Sequence, residues 1–381
     1  MTEQRDVVVI GGGQAGLAVG YFLARQDRRF TILEAAGEPA AAWRERWDSL
    51  RLFTPVRRNS LPGRAFPGDP DSYPERDQVV AYLEDYARHF ELHVELDSRV
   101  LAVRGADEGF EVELADRRYL AVQVVVATGP FQVPFIPPIA SGLAPEVTQL
   151  HSTDYRRPAQ LPDGPVVVVG GGNTGYQIAE ELVRSREVHL AVGGRQAPLP
   201  QRIVGRDLFD YLERLGLMAK TVDSRLARRL KDRETLIGSS PRRARKQGIR
   251  LRKRVTGAQG NSLGFADGSR QQVAAVIWAT GFRLDHSLVQ LPVFGADGRV
   301  EHRRGVTAVP GVYFLGLPWL HTRGSALLGW VQDDASYIAG RIAEHAATSN
   351  GTAEARAATE FEPRFGEPAR VEQPSGAPPA A

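Results

Sequence analysis

Two stretches of the chain share one pattern of apolar and polar positions. Residues 7 to 10 form an unbroken apolar run, three glycines follow, and an apolar stripe through Leu17, Tyr21 and Leu23 leads to a second run in "FTILE", which ends at Glu34. A run without polar interruption marks a strand buried on both faces, whereas a stripe at helical spacing marks a helix lying on a core. The segment from 5 to 34 is therefore predicted as strand, glycine turn, helix and strand. The plan recurs from 165 to 195, with "PVVVV", three glycines, a helix buried through Ile178, Ala179, Leu182 and Val183, and "VHLAV". Glu180 and Glu181 complete that helix as its outward face. Two units about 160 residues apart do not make a solenoid repeat, so each opens its own βαβ unit.

Two later apolar runs end alike, "VQVVVATG" at 122 to 129 and "AAVIWATG" at 274 to 281. The small closing residues let the backbone come close to a neighbouring group. Prolines crowd the stretch from 130 to 139, which is expected to be a semi-rigid connector leaving one domain. A last strand at 311 to 316 precedes a loop and a helix predicted from about Ser325 to His345. The lost periodicity from 348 to 381 predicts a flexible tail.

Composition adds exclusions. The chain has 381 residues, 42% hydrophobic and 24% charged, a size and balance that suit two ordinary globular domains. No apolar run reaches the roughly 18 residues that a membrane span needs, and the glycines come too early for a signal-peptide core, so a cytoplasmic protein is expected. Cysteine is absent, which excludes disulfides, thiolate metal sites and redox-active thiol pairs. Between Arg225 and Arg254, thirteen Lys and Arg stand against Asp232 and Glu234. No aromatic residue lies in that run to stack a base, so a solvated basic face is expected and nucleic acid is not. Attraction of an anionic dinucleotide is its second reading.

The glycine turns carry the chemistry. In Gly11-x-Gly13-x-x-Gly16 the first glycine permits the tight turn, the second admits a pyrophosphate, and the third lets helix pack on strand. The phosphate then meets free amides and the positive end of the helix dipole. Glu34, 18 residues after Gly16, stands where an acid accepts hydrogen bonds from a ribose, which suits the adenosine of FAD. The second turn, Gly170-x-Gly172-x-x-Gly175, is followed 20 residues later by Arg195 where the acid is expected. A guanidinium forks onto a 2′-phosphate that an acid would repel, which suits NADPH; an ordinary surface arginine is the alternative.

The order Gly11-x-Gly13-x-x-Gly16, Glu34, Ala127-Thr128-Gly129, "LHSTDYRRP" at 150 to 158, Gly170-x-Gly172-Asn173-Thr174-Gly175 and Ala279-Thr280-Gly281 resembles the flavin-containing monooxygenases. The likeness is greatest to the compact bacterial flavoproteins of that superfamily, some of them linked to cation transport, and it extends to the plant enzymes of auxin synthesis. "SLRLFTPVRRNSLPG", with Thr54, and "SYPERDQVVAYLEDYA" carry it across roughly 5 to 345. The resemblance implies an α/β fold with two Rossmann-like dinucleotide-binding domains of the glutathione-reductase type, the smaller inserted in the larger. Residues 1–159 and 277–347 are then the FAD domain and 160–276 the NADPH domain. The family's segment between the turns reads Phe-x-Gly-x-x-x-His-x-x-x-Tyr or Phe. His151 and Tyr155 keep its second half, with a packed interdomain linker of satisfied hydrogen bonds as the other reading of the pair, while Pro145 and Val147 stand where Phe and Gly belong. Tyr155, where Baeyer–Villiger relatives carry Trp-Pro, points toward heteroatom or carbon oxygenation. Ala40-Ala41-Ala42 replaces the frequent Gly-Gly before Trp43, a residue the resemblance sets beside the flavin.

The resemblance also implies a cycle: NADPH reduces the flavin, dioxygen adds at C4a, and the hydroperoxide passes one oxygen atom to a small organic substrate. In this scheme Asn173 and Thr174 hold the nicotinamide, with helix capping as the other reading of both. Ser325 begins a helix whose N-terminus faces the flavin's pyrimidine end, and Trp319, His321 and Arg323 line the substrate side, with a solvent-exposed loop histidine as the other reading of His321. The implied partners are substrate and dioxygen, without nucleic acid or a membrane span, and homo-oligomer formation is left open. Two other functions stay open: a cysteine-free NAD(P)H oxidoreductase or oxidase, and a nucleotide-sensing flavoprotein without turnover.

Overall fold

A computed structural model describes residues 2–230 and 234–360. The first unit is β1 (Thr2–Ile10), α1 (Gln14–Ala24) and β2 (Phe30–Leu33), and β3 (Arg118–Val126) returns beside β1. β1 runs parallel to both neighbours, with Ile10 opposite Leu33 on one side and Val126 on the other. The chain then builds a second sheet from β4 (Thr148–His151), β5 (Val166–Val169), β6 (Val188–Ala191), β7 (Arg250–Arg252) and β8 (Ala275–Trp278), with α2 (Asn173–Leu182) crossing from β5 to β6. Its order is β7-β6-β5-β8-β4, and every pair is parallel. Finally β9 (Val312–Phe314) rejoins the first sheet against β3, and α3 (Val331–Glu360) packs on α1.

The Val-rich runs explain both sheets. Parallel strands covered on two faces must be apolar throughout, and Val7, Val8 and Val9 in one sheet and Val166, Val167 and Val168 in the other are fully buried. The two crossings between the sheets run side by side. Val133–Pro134 pairs antiparallel with Phe282–Arg283, the Phe135 amide donates to the Gly281 carbonyl at 3.0 Å, and the Thr280 hydroxyl donates to the Phe135 carbonyl. The proline-rich connector is thus tied to the returning strand.

Three expectations change. The last helix begins at Val331, not at Ser325, because Arg323–Ala326 forms a separate 3-10 turn capped by Thr322. That helix continues to Glu360, so the segment from 348 to 360 is helical, and the rest of the predicted tail lies outside the described residues. Glu180 and Glu181 are not simply solvated: they accept hydrogen bonds from the hydroxyls of Ser239, at 3.0 Å, and Tyr155, at 2.7 Å. Within the basic run, Arg250 pairs with Glu187, Arg252 bonds His189, and Arg254 donates to the Gly193 carbonyl; residues 231–233 of it lie outside the description. Among the described residues no helix is long and apolar enough to cross a membrane.

Candidate active site

Both glycine turns are built the same way. Gly11 and Gly170 have φ of +112° and +137°, where a side chain is strained, and their amides donate to Leu33 at 2.8 Å and to Ala191 at 3.0 Å. A Cβ on Gly16 would sit 1.9 Å from the Gly11 carbonyl oxygen, and one on Gly175 2.1 Å from that of Gly170. Each helix can therefore approach its strand only where the side chain is absent. Gly13 is different. It caps α1 with extended backbone, and a Cβ there would meet nothing within 4 Å. Gly172 caps α2 in the same way.

A cavity of 720 Å³ opens beyond the carboxyl ends of β1, β2 and β3, the place where open α/β sheets bind ligands. Gly11 and Gly13 form its floor with Glu34, Thr128 and Gly129. The Glu34 carboxylate accepts from the Gly12 amide at 2.8 Å and the Ala36 amide at 3.0 Å, so it is held at the end of β2 with lone pairs to spare. Thr54 and Trp43 stand on the side. The Thr54 hydroxyl donates to Asn59 at 2.7 Å, and the Trp43 indole donates to Gln14, whose amide in turn reaches the Ala326 carbonyl at 2.8 Å. The opposite wall comes from the other sheet: Asn173, Thr174 and Gln177 at the start of α2. One cavity thus joins the start of α1 to the start of α2.

The other sequence candidates stand elsewhere. His151 is buried at the end of β4, its ring nitrogens within 2.9 Å of the Thr153 hydroxyl and 3.1 Å of the Gly281 carbonyl, and burial pulls its pKa down. Tyr155 is fully buried against Trp47 and Tyr176, and burial pushes its phenol far up. His151 ties the end of β4 to the crossing strand, Tyr155 ties the segment after β4 to α2, and neither lines the cavity. Tyr155→Phe is accordingly expected to cost about 1–2 kcal/mol of stability by leaving Glu181 without its donor, with turnover unchanged; a thermal melt beside an activity assay checks this. Asn173 lines the cavity, and its amide is anchored to the strand Glu234–Ile237, donating to Thr235 at 3.1 Å and accepting from Ile237 at 3.0 Å.

The expected flavin-facing helix start at Ser325 is absent. The Ser325 hydroxyl is buried and accepts from the His321 and Thr322 amides at 3.0 Å, inside a turn of four residues. His321 is half-buried and its carbonyl accepts from Val222 at 2.8 Å, while the Arg323 guanidinium reaches the Thr235 hydroxyl at 3.2 Å. Neither lines the cavity; its roof there is Ala326, Leu327 and Leu328. Thr280 and Gly281 lie in the crossing ribbon.

Strand pairing also corrects the comparison of the two turns. Ile10 pairs with Leu33 and Val169 with Ala191, so the residue matching Glu34 is Val192. Arg195 lies three residues on, exposed and without a partner among the described residues. The second unit has no acid at the matching place, and Gln196 folds back onto the turn, donating to the Gly171 carbonyl.

The cavity has one wall that the sequence does not announce. Arg46 stands between Phe131 and Phe282, with its guanidinium carbon 4.6 Å and 5.2 Å from the ring centroids. In a chain with 48 Lys and Arg nothing local marks it out, and only Ala42, its hydrogen-bond partner at helical spacing, hints at its direction.

Residues 8–203 match the pyridine nucleotide-disulphide oxidoreductase family. An uncharacterized CzcO-like oxidoreductase of Geobacillus kaustophilus is 45% identical over 89% of this chain and 99% of its own. The indole-3-pyruvate monooxygenase YUCCA1 of Oryza sativa subsp. japonica is 29% identical over 80% of this chain and 82% of its own. Among solved structures, the flavin-containing monooxygenase from Stenotrophomonas maltophilia superposes with a TM-score of 0.76 at 32% identity, covering 90% of this chain and 99% of that one. The sequence match, the shared fold and the cavity between two glycine turns agree: the chain belongs to the pyridine nucleotide-disulphide oxidoreductase family and, within it, to the flavin monooxygenases.

Proposed function

We propose that the protein is an NADPH-dependent FAD monooxygenase that oxygenates a small organic substrate at nitrogen, sulfur or carbon. The observation that carries this is the single cavity that runs from the start of α1, beside Glu34, to the start of α2. The fit to FAD rests on Gly13, whose missing side chain leaves the amides at the head of α1 open to the cavity, and on the two lone pairs that Glu34 keeps for a ribose. The flavin, once bound, supplies the chemistry: it takes hydride from a nicotinamide and activates dioxygen.

The chain's own residues do the rest. Gly13 and the first turn of α1 hold the diphosphate, and Glu34 fixes the ribose. Asn173 fixes the head of α2 to the neighbouring strand through Thr235 and Ile237, and keeps one amide hydrogen and one lone pair for a nicotinamide. Leu327 and Leu328 on the roof and Leu50 and Leu52 on the side keep water from the reacting region. We assign 1–159 and 277–347 to the FAD domain and 160–276 to the NADPH domain, with β4 supplied to the second sheet by the segment that precedes the insert. Thiol-based disulfide reduction is excluded by the absence of cysteine.

Arg195, with Val192 where an acid would repel, is the seat for the 2′-phosphate. A charge-assisted guanidinium–phosphate contact is worth about 1.5–3 kcal/mol, so Arg195→Ala is expected to raise the Kd for NADPH by roughly 10–100-fold and to leave that for NADH in place. Stopped-flow anaerobic reduction with each nucleotide, followed by mixing with oxygen and a substrate panel, tests the whole scheme. Monooxygenation predicts NADPH-dependent bleaching with product formed in step with NADPH consumed. Stoichiometric peroxide whatever the substrate would instead establish an oxidase.

A further inference from the structure

Arg46 lines both the 720 Å³ cavity and a neighbouring one of 480 Å³, which also touches Glu34, Arg99 and Gln132. Its Nε donates to the Ala42 carbonyl at 3.0 Å. Its two Nη groups make no hydrogen bond and no ion pair among the described residues. Two neighbouring arginines are provided for: Arg44 pairs with Glu38 and Glu84, and Arg156 donates to the carbonyls of Glu45 and Thr153. Arg99, on both cavity walls, is exposed and like Arg46 has no ion pair among the described residues. Burial lowers the Arg46 pKa to about 10, with Glu45 opposing the shift, so the side chain is still charged at neutral pH.

A cation whose pKa falls on folding is held at a free-energy cost at every pH where it stays charged. The rings of Phe131 and Phe282, packed edge to face on each other, recover part of that cost. They leave its Nη donors without a protein partner among the described residues, and a guanidinium fork matches two oxygens of one phosphate or carboxylate. Phe282 belongs to the ribbon where the chain crosses between the sheets and Phe131 stands two residues before its other strand, so the fork is set from outside the segment that carries Arg46, which follows the helical turn Ala41–Arg44.

We propose that Arg46 is an anion seat, holding a phosphate or carboxylate of a ligand at the wall shared by the two cavities. This rests on the dinucleotide reading of the larger cavity. Two sources have that chemistry: the diphosphate of FAD, and an acidic group on the substrate.

The test compares wild type with Arg46→Met, which keeps the stem between the rings and removes the charge, and with Arg46→Lys, which keeps the charge and loses the fork. FAD binding to apoprotein is followed by fluorescence quenching. Binding of benzoate and of inorganic phosphate to the FAD-loaded protein is followed by perturbation of the flavin spectrum. A loss of at least tenfold in FAD affinity in Arg46→Met, smaller in Arg46→Lys, establishes the diphosphate as the anion. Unchanged FAD affinity with a tenfold or greater loss of benzoate or phosphate establishes the substrate site.

Apo Arg46→Met is expected to melt no lower than the wild type, because it sheds a half-buried charge, and to gain less from FAD. Unchanged affinities for all three probes, or a lower apo melting point with intact affinities, overturn the proposal and make Arg46 a brace. Should Arg46→Met not fold, Arg46→Lys gives the same readings at smaller amplitude. Wild-type protein that takes up no FAD refutes the dinucleotide reading itself, a result distinct from uptake that is equal in all three proteins.

Discussion

Replacing Gly13 by aspartate is expected to give a folded protein that no longer holds FAD. The backbone at Gly13 is extended, at φ −79° and ψ −170°, and a Cβ there meets nothing within 4 Å, so the fold accepts a side chain. Aspartate is in fact a favoured residue at the cap of a helix, where its carboxylate takes the free amides of the first turn. Those are the amides that the diphosphate needs. The new carboxylate satisfies them and repels the ligand, and two like charges about 4 Å apart near a surface interact by about 4 kcal/mol. An affinity loss on the order of 10³-fold follows. The apoprotein should melt at or above the wild-type temperature, while the ratio of flavin to protein absorbance should fall to near zero. Stoichiometric FAD in Gly13→Asp would show that the diphosphate does not lie at the head of α1.

Gly175→Ala is expected to separate the two halves of the site. Its Cβ would sit 2.1 Å from the Gly170 carbonyl oxygen, a backbone atom that cannot swing away. The α2 helix must shift off β5, at a cost of about 1–3 kcal/mol typical of overpacking. That helix carries Asn173, Thr174 and Gln177 in the cavity wall, whereas Gly13 and Glu34 stand on the other sheet. The variant should therefore be yellow. Its reduction by NADPH should slow by at least about 10²-fold, since displacements near 1 Å cost that much when reacting groups must be aligned. Gly194→Ala, whose Cβ meets nothing within 4 Å, is the control in the same unit and should behave as wild type. Equal rates of reduction in Gly175→Ala and wild type would separate α2 from the nicotinamide altogether.

Legibility differed between kinds of feature. The strands and the two turns were readable because an unbroken Val run and a glycine at a required φ are local demands on single residues. The pairing of Ile10 with Leu33 and of Val169 with Ala191 is not local, and it moved the counterpart of Glu34 from Arg195 to Val192. His151 and Tyr155 carry a recognisable spacing, yet that spacing reports a packed joint within the second unit: each side chain finds its partner in another segment, Gly281 and Glu181. For Ser325 the helical periodicity was real, but Thr322 caps a short turn first and Val331 starts the helix.

The sequence by itself determined two βαβ units, their glycine turns, the acid at the end of the first, and the exclusion of thiol chemistry. Each of these follows from residue type at a position or from periodicity along a few turns, so it survives without knowledge of neighbours. The tertiary structure alone decided which residues share a cavity. Arg46 becomes a half-buried fork only because Phe131 and Phe282, from two separate passes between the sheets, close on it and no carboxylate among the described residues forms an ion pair with it. Desolvation and missing partners are properties of the space around a side chain, and chain order does not encode that space until the sheets have packed.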